Sequence, residues 1–256
     1  MYIKKSLGCF LFVFIVSCFV LLLQTTNSVN NVKASEEIQL AWSGELDLSW
    51  GMVSDEDGIY RIYTPAQLAQ FADIVNNGTD FSGKVIRLCS NIDLGGENET
   101  PCEWTPIGNY DNINKIMKAF CGTFDGGNYL VSNIYINNTN YLYGSGLFGA
   151  IQTGGIVKNI NVEGVISGAK STYLGGIVGY ISESCIDNCS SDITIKAIGS
   201  HCGGIVGEAY HSVVKNCVNY GNIVINNGID VGGIAGCIKA TTKLSVIFNC
   251  CNYGYI

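Results

Sequence analysis

Four copies of one short phrase, set 28 to 30 residues apart, organise the second half of this chain. They are Gly146-Leu147-Phe148-Gly149, Gly176-Ile177-Val178-Gly179, Gly204-Ile205-Val206-Gly207 and Gly233-Ile234-Ala235-Gly236. A fixed period of that length is the mark of a repeat architecture, in which each unit buries its apolar face only by stacking on its neighbours. The copies agree beyond the glycines. Nine to thirteen residues after each phrase comes an asparagine with a small or apolar residue behind it: Asn159-Ile160, Asn188-Cys189, Asn216-Cys217 and Asn249-Cys250. Four residues later three copies carry a further glycine (Gly164, Gly221, Gly254), and the fourth has Ile193.

Between these marks lie short β-branched runs, such as Asp192-Ile193-Thr194-Ile195 and Asn222-Ile223-Val224-Ile225, bounded by turn residues. Two or three such runs in a unit of 28 to 30 residues, with no helical pattern, predict one turn of a β-solenoid. Each turn then pairs its strands with those above and below at about 4.8 Å. Glycine suits the tight corners and lets backbones approach closely. The Ile and Leu side chains inside the phrase are expected to point inward as an apolar column. The asparagines are expected to form a ladder, each amide bonded to its copy one rung away, which gives that column a structural role.

The helical pattern lies upstream. Thr64 as N-cap, Pro65 as first helical residue and Gln67 form a capping box, and Leu68, Phe71, Ala72 and Val75 give one apolar face before Gly78 ends the run. A solenoid has open edges that invite further strand pairing, so the helix is expected to cap the N-terminal end. No matching cap is read at the other end, where the chain stops at Tyr255-Ile256: either the last rung is bare or the chain is a fragment. The alternation in Glu45-Leu46-Asp47-Leu48-Ser49-Trp50 suggests one early strand.

At the N-terminus Lys4 and Lys5 precede an apolar stretch from Leu7 to Leu23, followed by Val32-Lys33-Ala34, the pattern of a secretory signal cleaved after Ala34. An uncleaved anchor is the alternative, as is lipidation of Cys18 in Ile15-Val16-Ser17-Cys18. Without residues 1–34 the chain keeps 11 basic against 21 acidic residues, which disfavours nucleic acid or an anionic membrane surface as partner. The organisation expected is a signal peptide (1–34), a lead-in (35–58), a capping helix with the first solenoid turns (59–140) and the repeats proper (141–256). The location expected is secreted or cell-surface, with membrane contact only through the signal or anchor segment.

The glycine phrase, with Asn-Cys downstream and then Asn219-Tyr220-Gly221 or Asn252-Tyr253-Gly254, resembles the GLUG-motif repeats of bacterial surface proteins. Such repeats also occur in the N-terminal regions of IgA-protease-type surface metallopeptidases. The resemblance covers about residues 59–256. It includes the helical stretch Thr64-Pro65-Ala66-Gln67-Leu68, a strand ending in Asn91-Ile92-Asp93-Leu94, and turns at Trp104-Thr105-Pro106-Ile107-Gly108 and Gly122-Thr123-Phe124-Asp125-Gly126. It implies an all-β fold, a right-handed parallel β-helix or solenoid with a short N-terminal capping helix. The handedness comes from the resemblance, since repeat spacing does not decide it.

Twelve cysteines are unusual for such a chain, and ten fall after the signal. An exported protein with that number suggests disulfides. The repeat alignment instead puts Cys189, Cys217 and Cys250 in one column headed by Ile160, an inward slot in which free cysteine serves as a small hydrophobe. Mostly reduced thiols are expected, with Cys102–Cys121 the least unfavourable bridge. Zinc finds no Cys-x-x-Cys spacing, and His201 and His211 are few and poorly placed. Glu97, Glu99 and Glu103 cluster in one loop that is either a weak Ca²⁺ site or a solvated acidic loop.

The residues offer no catalytic, cofactor-binding or metal set. No His-Glu-x-x-His occurs, so the metallopeptidase chemistry of some relatives cannot reside in this stretch. Cys202, beside His201, aligns with Leu174 and Val231, a core position rather than a nucleophile. A β-helix glycosidase needs paired carboxylates. One candidate column reads Ala150, Tyr180, Glu208, Cys237 and another Lys158, Asp187, Lys215, Phe248, and neither stacks acids. Two classes remain. One is a non-catalytic surface module for adhesion, ligand display or spacing, whose exposed Tyr141, Tyr143, Tyr173, Tyr180, Tyr210 and Tyr220 would meet a host glycan, a matrix protein or a cell-wall polymer. The other is an enzyme: a carbohydrate-active β-helix using Glu208 and Asp187, or the front part of a surface peptidase.

Overall fold

The computed structural model describes residues 42–256, apart from 52, 97–100, 112–115, 138–140 and 227, with the backbone alone for 111, 141, 142, 168 and 169. The signal segment, Cys18, Glu97 and Glu99 lie outside the described residues, as does the side chain of Tyr141.

Three parallel sheets are built rung by rung. The first stacks Ile59–Ile62, Val85–Leu88, Thr123–Asp125, Ile156–Lys158, Cys185–Asp187, Val213–Lys215 and Val246–Phe248 in that order. The second carries Ile92–Asp93, Leu130–Ile136, Asn161–Gly175, Ser190–Gly203, Val218–Asn219 and Cys251–Asn252, with Tyr141–Ser145, Ile223–Ile225 and Asp230–Gly232 as further pairings. The third stacks Phe148–Gln152, Val178–Ser182, Val206–Tyr210 and Ala235–Lys239. Each repeat supplies one segment to each sheet in turn, so the fold is the expected β-solenoid with one short helix. The repeat alignment is also the hydrogen-bonding register. Ile156, Val157 and Lys158 pair with Cys185, Ile186 and Asp187, and Leu174 pairs with Cys202 and Cys202 with Val231.

Inward positions repeat in chemistry because they share one apolar interior. Leu147, Ile177 and Ile205 are fully buried, as are Val157, Ile186 and Val214 in the first sheet. Ile160, Cys189 and Cys217 form the expected inward column, and Cys250 is half-buried in the last rung. All described cysteines are free thiols. The Cys102–Cys121 bridge does not form: Cys102 lines a cleft beside the helix, and Cys121 lines a separate one near Asp80.

The corner asparagines do two things. Asn159, Asn188, Asn216 and Asn249 all hold φ between 51° and 55°, the left-handed region that asparagine enters at lower cost than most residues. Their amides also link rungs. Asn188 Nδ2 donates to Asn159 Oδ1 at 2.9 Å and Asn249 Nδ2 to Asn216 Oδ1 at 2.6 Å. Two steps go to carboxylates instead: Asn216 Nδ2 to Asp187 Oδ1 at 2.7 Å and Asn159 Nδ2 to Asp125 Oδ1 at 3.0 Å. The Asn-Tyr-Gly phrase has its own device. Asn219 is fully buried, and its amide donates to Gly221 O at 2.9 Å and to Asn252 Oδ1 at 2.8 Å.

The helix (α1) spans Pro65–Asn76. Thr64 Oγ1 accepts from Gln67 N, while Gln67 Oε1 accepts from Tyr63 N, one residue earlier than the usual capping-box partner. At the other end Gly78 N donates to Val75 O and Thr79 N to Ile74 O, a Schellman motif with Gly78 at φ 108°. Phe71 is buried against Phe124 of the first sheet at 5.9 Å, and meets Phe81, Phe120 and Trp50 edge-on at 5.3 to 5.8 Å. The helix thus covers the first rungs with an aromatic plug. At the far end the same inward positions are open: Ala209 is 1% exposed and its partner Ile238 51%.

Two local expectations are corrected. Glu45–Trp50 is not a strand. Asp47 accepts from Ser49 N and Oγ, a local turn that competes with strand geometry, and Trp50 is pinned by its Nε1 donating to Arg61 O. The Gly122–Gly126 phrase is not a turn alone, because Thr123–Asp125 is a full member of the first sheet, paired with Val85–Arg87 and Ile156–Lys158.

Asn216→Gly removes a ladder amide but keeps the corner, whereas Asn216→Ala removes the amide and forces an L side chain into positive φ. Urea unfolding is expected to show Asn216→Ala as the worse by about 1 kcal/mol. Phe71→Ala is expected to lower stability by about 3–5 kcal/mol in the same measurement.

Candidate functional site

Each glycine phrase turns the chain from the second sheet into the third, and its last glycine lies flush on neighbouring backbone. A Cβ on Gly179 would stand 2.6 Å from Gly144 Cα, one on Gly207 2.6 Å from Leu174 N, and one on Gly236 2.3 Å from Cys202 N. The strands on either side of the phrase therefore pack backbone against backbone with no side chain between them. As a result, in the second to fourth copies the positions three before the phrase and one after it come together on one face, and in the first copy the register partner is Gly144, two before the phrase.

Two columns meet there. One reads Gly144, Tyr173, His201, Asp230 in hydrogen-bonding register, and the other Ala150, Tyr180, Glu208, Cys237. Towards the capped end the face is aromatic. Tyr143 lies 4.9 Å from Tyr173 and 5.6 Å from Tyr180, Tyr173 lies 5.3 Å from Tyr180, and Tyr110 joins Tyr143 at 5.3 Å, all four rings half-buried. His201 stacks on Tyr173 at 5.4 Å, almost parallel, and begins the titratable part. Burial and the neighbouring Tyr173 hold the Tyr143 hydroxyl well above the usual phenol range, and burial raises Tyr180 as well. Both rings act as neutral hydrogen-bonding surfaces at any ordinary pH.

The next two rungs gather charge. Glu208 is 3% exposed, and its Oε2 lies 2.8 Å from Lys239 Nζ and 3.7 Å from His201 Nε2. Asp230 Oδ2 lies 2.8 Å from His201 Nδ1. Neither Glu208 Oε2 nor His201 Nδ1 has a hydrogen bond of acceptable angle, close as these neighbours are. His201, Glu208 and Cys237 each bring one ligand-type atom to within 4.8 Å of the other two. Glu208 holds the Lys239 ammonium pKa up, and burial, then Glu208, raises the Cys237 thiol.

The structure sorts the sequence candidates. Tyr143, Tyr173 and Tyr180 come together. Tyr210 stacks on His211 at 3.8 Å, and Tyr220 pairs with Tyr253 at 5.5 Å, both away from that cluster. Glu208 and Asp187 do not meet: Asp187 sits in the first sheet, paired with Lys215 at 3.2 Å. Glu103 accepts from Asn137 N at 3.0 Å. Cys202 is a core residue, as expected from its column. The columns compared in sequence missed Asp230 and Lys239, because each was read alone. The signal that finds them is the symmetry of the two columns about the glycine phrase. A cleft of about 430 Å³ lies elsewhere, beside the helix and bordered by Trp42, Cys102 and Trp104, with Asp73 and Glu103 as its acids. It gathers no comparable set of titratable groups.

No family model matches the chain. A provisionally named Gly-rich membrane protein of Evansella cellulosilytica is 36% identical over 196 residues, covering 73% of this chain and 21% of its own length. The chain therefore spans about a fifth of that relative. A crystal structure provisionally identified as an immunoglobulin A1 protease from Bacteroides ovatus superposes with a TM-score of 0.51 at 19% identity. It covers 78% of this chain and 68% of that one. At that identity the likeness is one of fold.

Two measurements follow from the site's packing. Gly207→Ala places a Cβ 2.6 Å from both Gly179 O and Leu174 N and is expected to cost about 2–3 kcal/mol in urea unfolding. Burial raises Cys202 from 9.0 to about 12, so its neutral thiol favours the folded state. That contribution is complete below pH 9 and is lost as pH rises towards 12. Cys202→Val, the residue one rung on, is expected to make the fall in stability over that window shallower by about one proton.

Proposed function

We propose that this chain is an exported, non-catalytic β-solenoid module of the GLUG-repeat kind that binds an extended glycan, of a host surface or of a cell wall, along its tyrosine face. The observation that carries the reading is the cluster of half-buried rings formed by Tyr143 on one rung, Tyr173 and Tyr180 on the next, and Tyr110 on the antiparallel strand pair Asn109–Asp111 and Ile116–Lys118 beside them. Aromatic rings fixed by packing offer apolar area at little entropic cost, with hydroxyls at the edge for polar groups. An extended ligand can lie along the rings of neighbouring segments.

Export is supported by the signal pattern at residues 1–34 and by the relative described as a membrane protein. Among the described residues no helix is long and apolar enough to cross a membrane. A second reading, the front region of a larger surface peptidase, is favoured by the name of the structural neighbour and by the small share of the relative that the chain spans. Under it, chemistry lies beyond these residues and the module positions a substrate.

The test is a glycan array and cell-wall polysaccharide binding screen with the purified chain, followed by titration of hits. Saturable binding is expected, weakened about tenfold or more by Tyr143→Ala, Tyr173→Ala or Tyr180→Ala and unchanged by Tyr220→Ala. No saturable binding by folded protein, or binding indifferent to the three tyrosines, would overturn the proposal.

A further inference from the structure

The chemistry at the end of the tyrosine face differs from the rest of the molecule. His201, Glu208 and Cys237 come from three strands and two rungs, yet their ligand-type atoms all lie within 4.8 Å of one another. The backbone contact of Gly236 against His201 and Cys202 fixes the distance between the second and third sheets here. Glu208 and Cys237 are register partners in the third sheet, so their side chains stand one rung apart, about 4.8 Å.

We propose that His201, Glu208 and Cys237 bind one divalent cation of the zinc class. The carboxylate of Glu208 is more than nine-tenths buried and aimed into the cluster, and its Oε2 has no hydrogen bond of acceptable angle. Burying such a group is costly unless a positive charge answers it. Lys239, half exposed, is the partial answer at 2.8 Å, and a cation at the centre of the trio replaces it. One imidazole nitrogen, one thiolate and one carboxylate are the donor set of a borderline-soft metal, whereas calcium and magnesium call for oxygen alone. Bond lengths of about 2.0–2.3 Å to zinc require the three atoms to draw together by little more than an ångström.

Asp230 completes the arrangement. Its Oδ2 lies 2.8 Å from His201 Nδ1, too poorly aligned for a hydrogen bond in the metal-free arrangement, and a turn of the imidazole onto the ion would let it accept from Nδ1–H and hold the tautomer with Nε2 free to ligate. Nε2 is the nitrogen that faces Glu208, at 3.7 Å. On binding, the Cys237 thiol gives its proton to solvent and becomes the thiolate ligand. With Glu208, two negative ligands then balance the doubly charged ion. Three protein ligands leave a fourth tetrahedral position for water or for an oxygen of a bound molecule. This inference stands apart from the glycan reading, since it rests on other residues and is read by metal content.

The test is metal loading of the purified full chain after chelation under reducing conditions, with zinc content measured after gel filtration and cobalt used as the spectroscopic probe. The expected result is one zinc per chain and a near-ultraviolet thiolate-to-cobalt charge-transfer band. Cys237→Ser should abolish the band, and His201→Ala and Glu208→Gln should each lower affinity by more than about 100-fold. Asp230→Asn, outside the ligand set, should lower it about 10- to 100-fold. Cys202→Val should bind as the parent does. If the parent binds no zinc, or if its zinc and cobalt band survive Cys237→Ser and Glu208→Gln, the proposal fails. Circular dichroism identifies any variant that does not fold. Glu208→Gln, which keeps side-chain volume, then decides with Asp230→Asn.

Discussion

Register is the constraint on which the rest of this molecule depends. Parallel strands one rung apart bond residue to equivalent residue, so the 28–30 residue period turns every sequence position into a column. A slip of one residue would turn inward side chains outward in all three sheets at once. The positive-φ asparagines and the glycine corners hold the period fixed, because few other residues accept those turns or that closeness of backbone. The asparagine amides then add a side-chain bond between rungs at the corners, beside backbone bonds such as Asn159 N to Asp187 O and Asn188 N to Lys215 O.

The first and last described rungs are covered differently. The first rungs are covered by α1, whose Phe71 packs with Trp50, Phe81, Phe120 and Phe124 in one buried aromatic cluster. Beyond them the interior becomes aliphatic, because a rung only about 4.8 Å thick is filled by Ile, Val, Leu and Cys. The last described rung keeps the same inward chemistry, and its inward Ile238 is exposed where Ala209, one rung earlier, is buried.

Columns that face the interior are held to one chemistry, while columns that face out are not. The outer pair beside the glycine phrase changes completely over four rungs, from Gly144 and Ala150 through two tyrosines to His201 with Glu208 and Asp230 with Cys237. The scaffold repeats and the face does not. That is why function is sought in the residues that break the repeat: the aromatic row presents neutral area, and the titratable cluster next to it presents charge and metal-ligand chemistry.

Most of the architecture was legible because it rests on period and on local chemistry. The spacing of the glycine phrases gave the columns, the Thr64–Gly78 run gave the helix, and the Ile160/Cys189/Cys217 column gave the buried thiols. Local cues misled where a short stretch admits two structures, as at Glu45–Trp50, where an Asp47 side-chain bond wins over alternation, and at Thr123–Asp125, where partners 38 and 33 residues away make a strand of a glycine-bounded phrase. The candidate site was only half visible. Sequence places Tyr180, Glu208 and Cys237 in one column and Tyr173, His201 and Asp230 in another, since register is a one-dimensional rule. That the two columns share a face was decided by the backbone contact across the glycine corner, and closeness between chain segments that do not pair follows from three-dimensional packing alone.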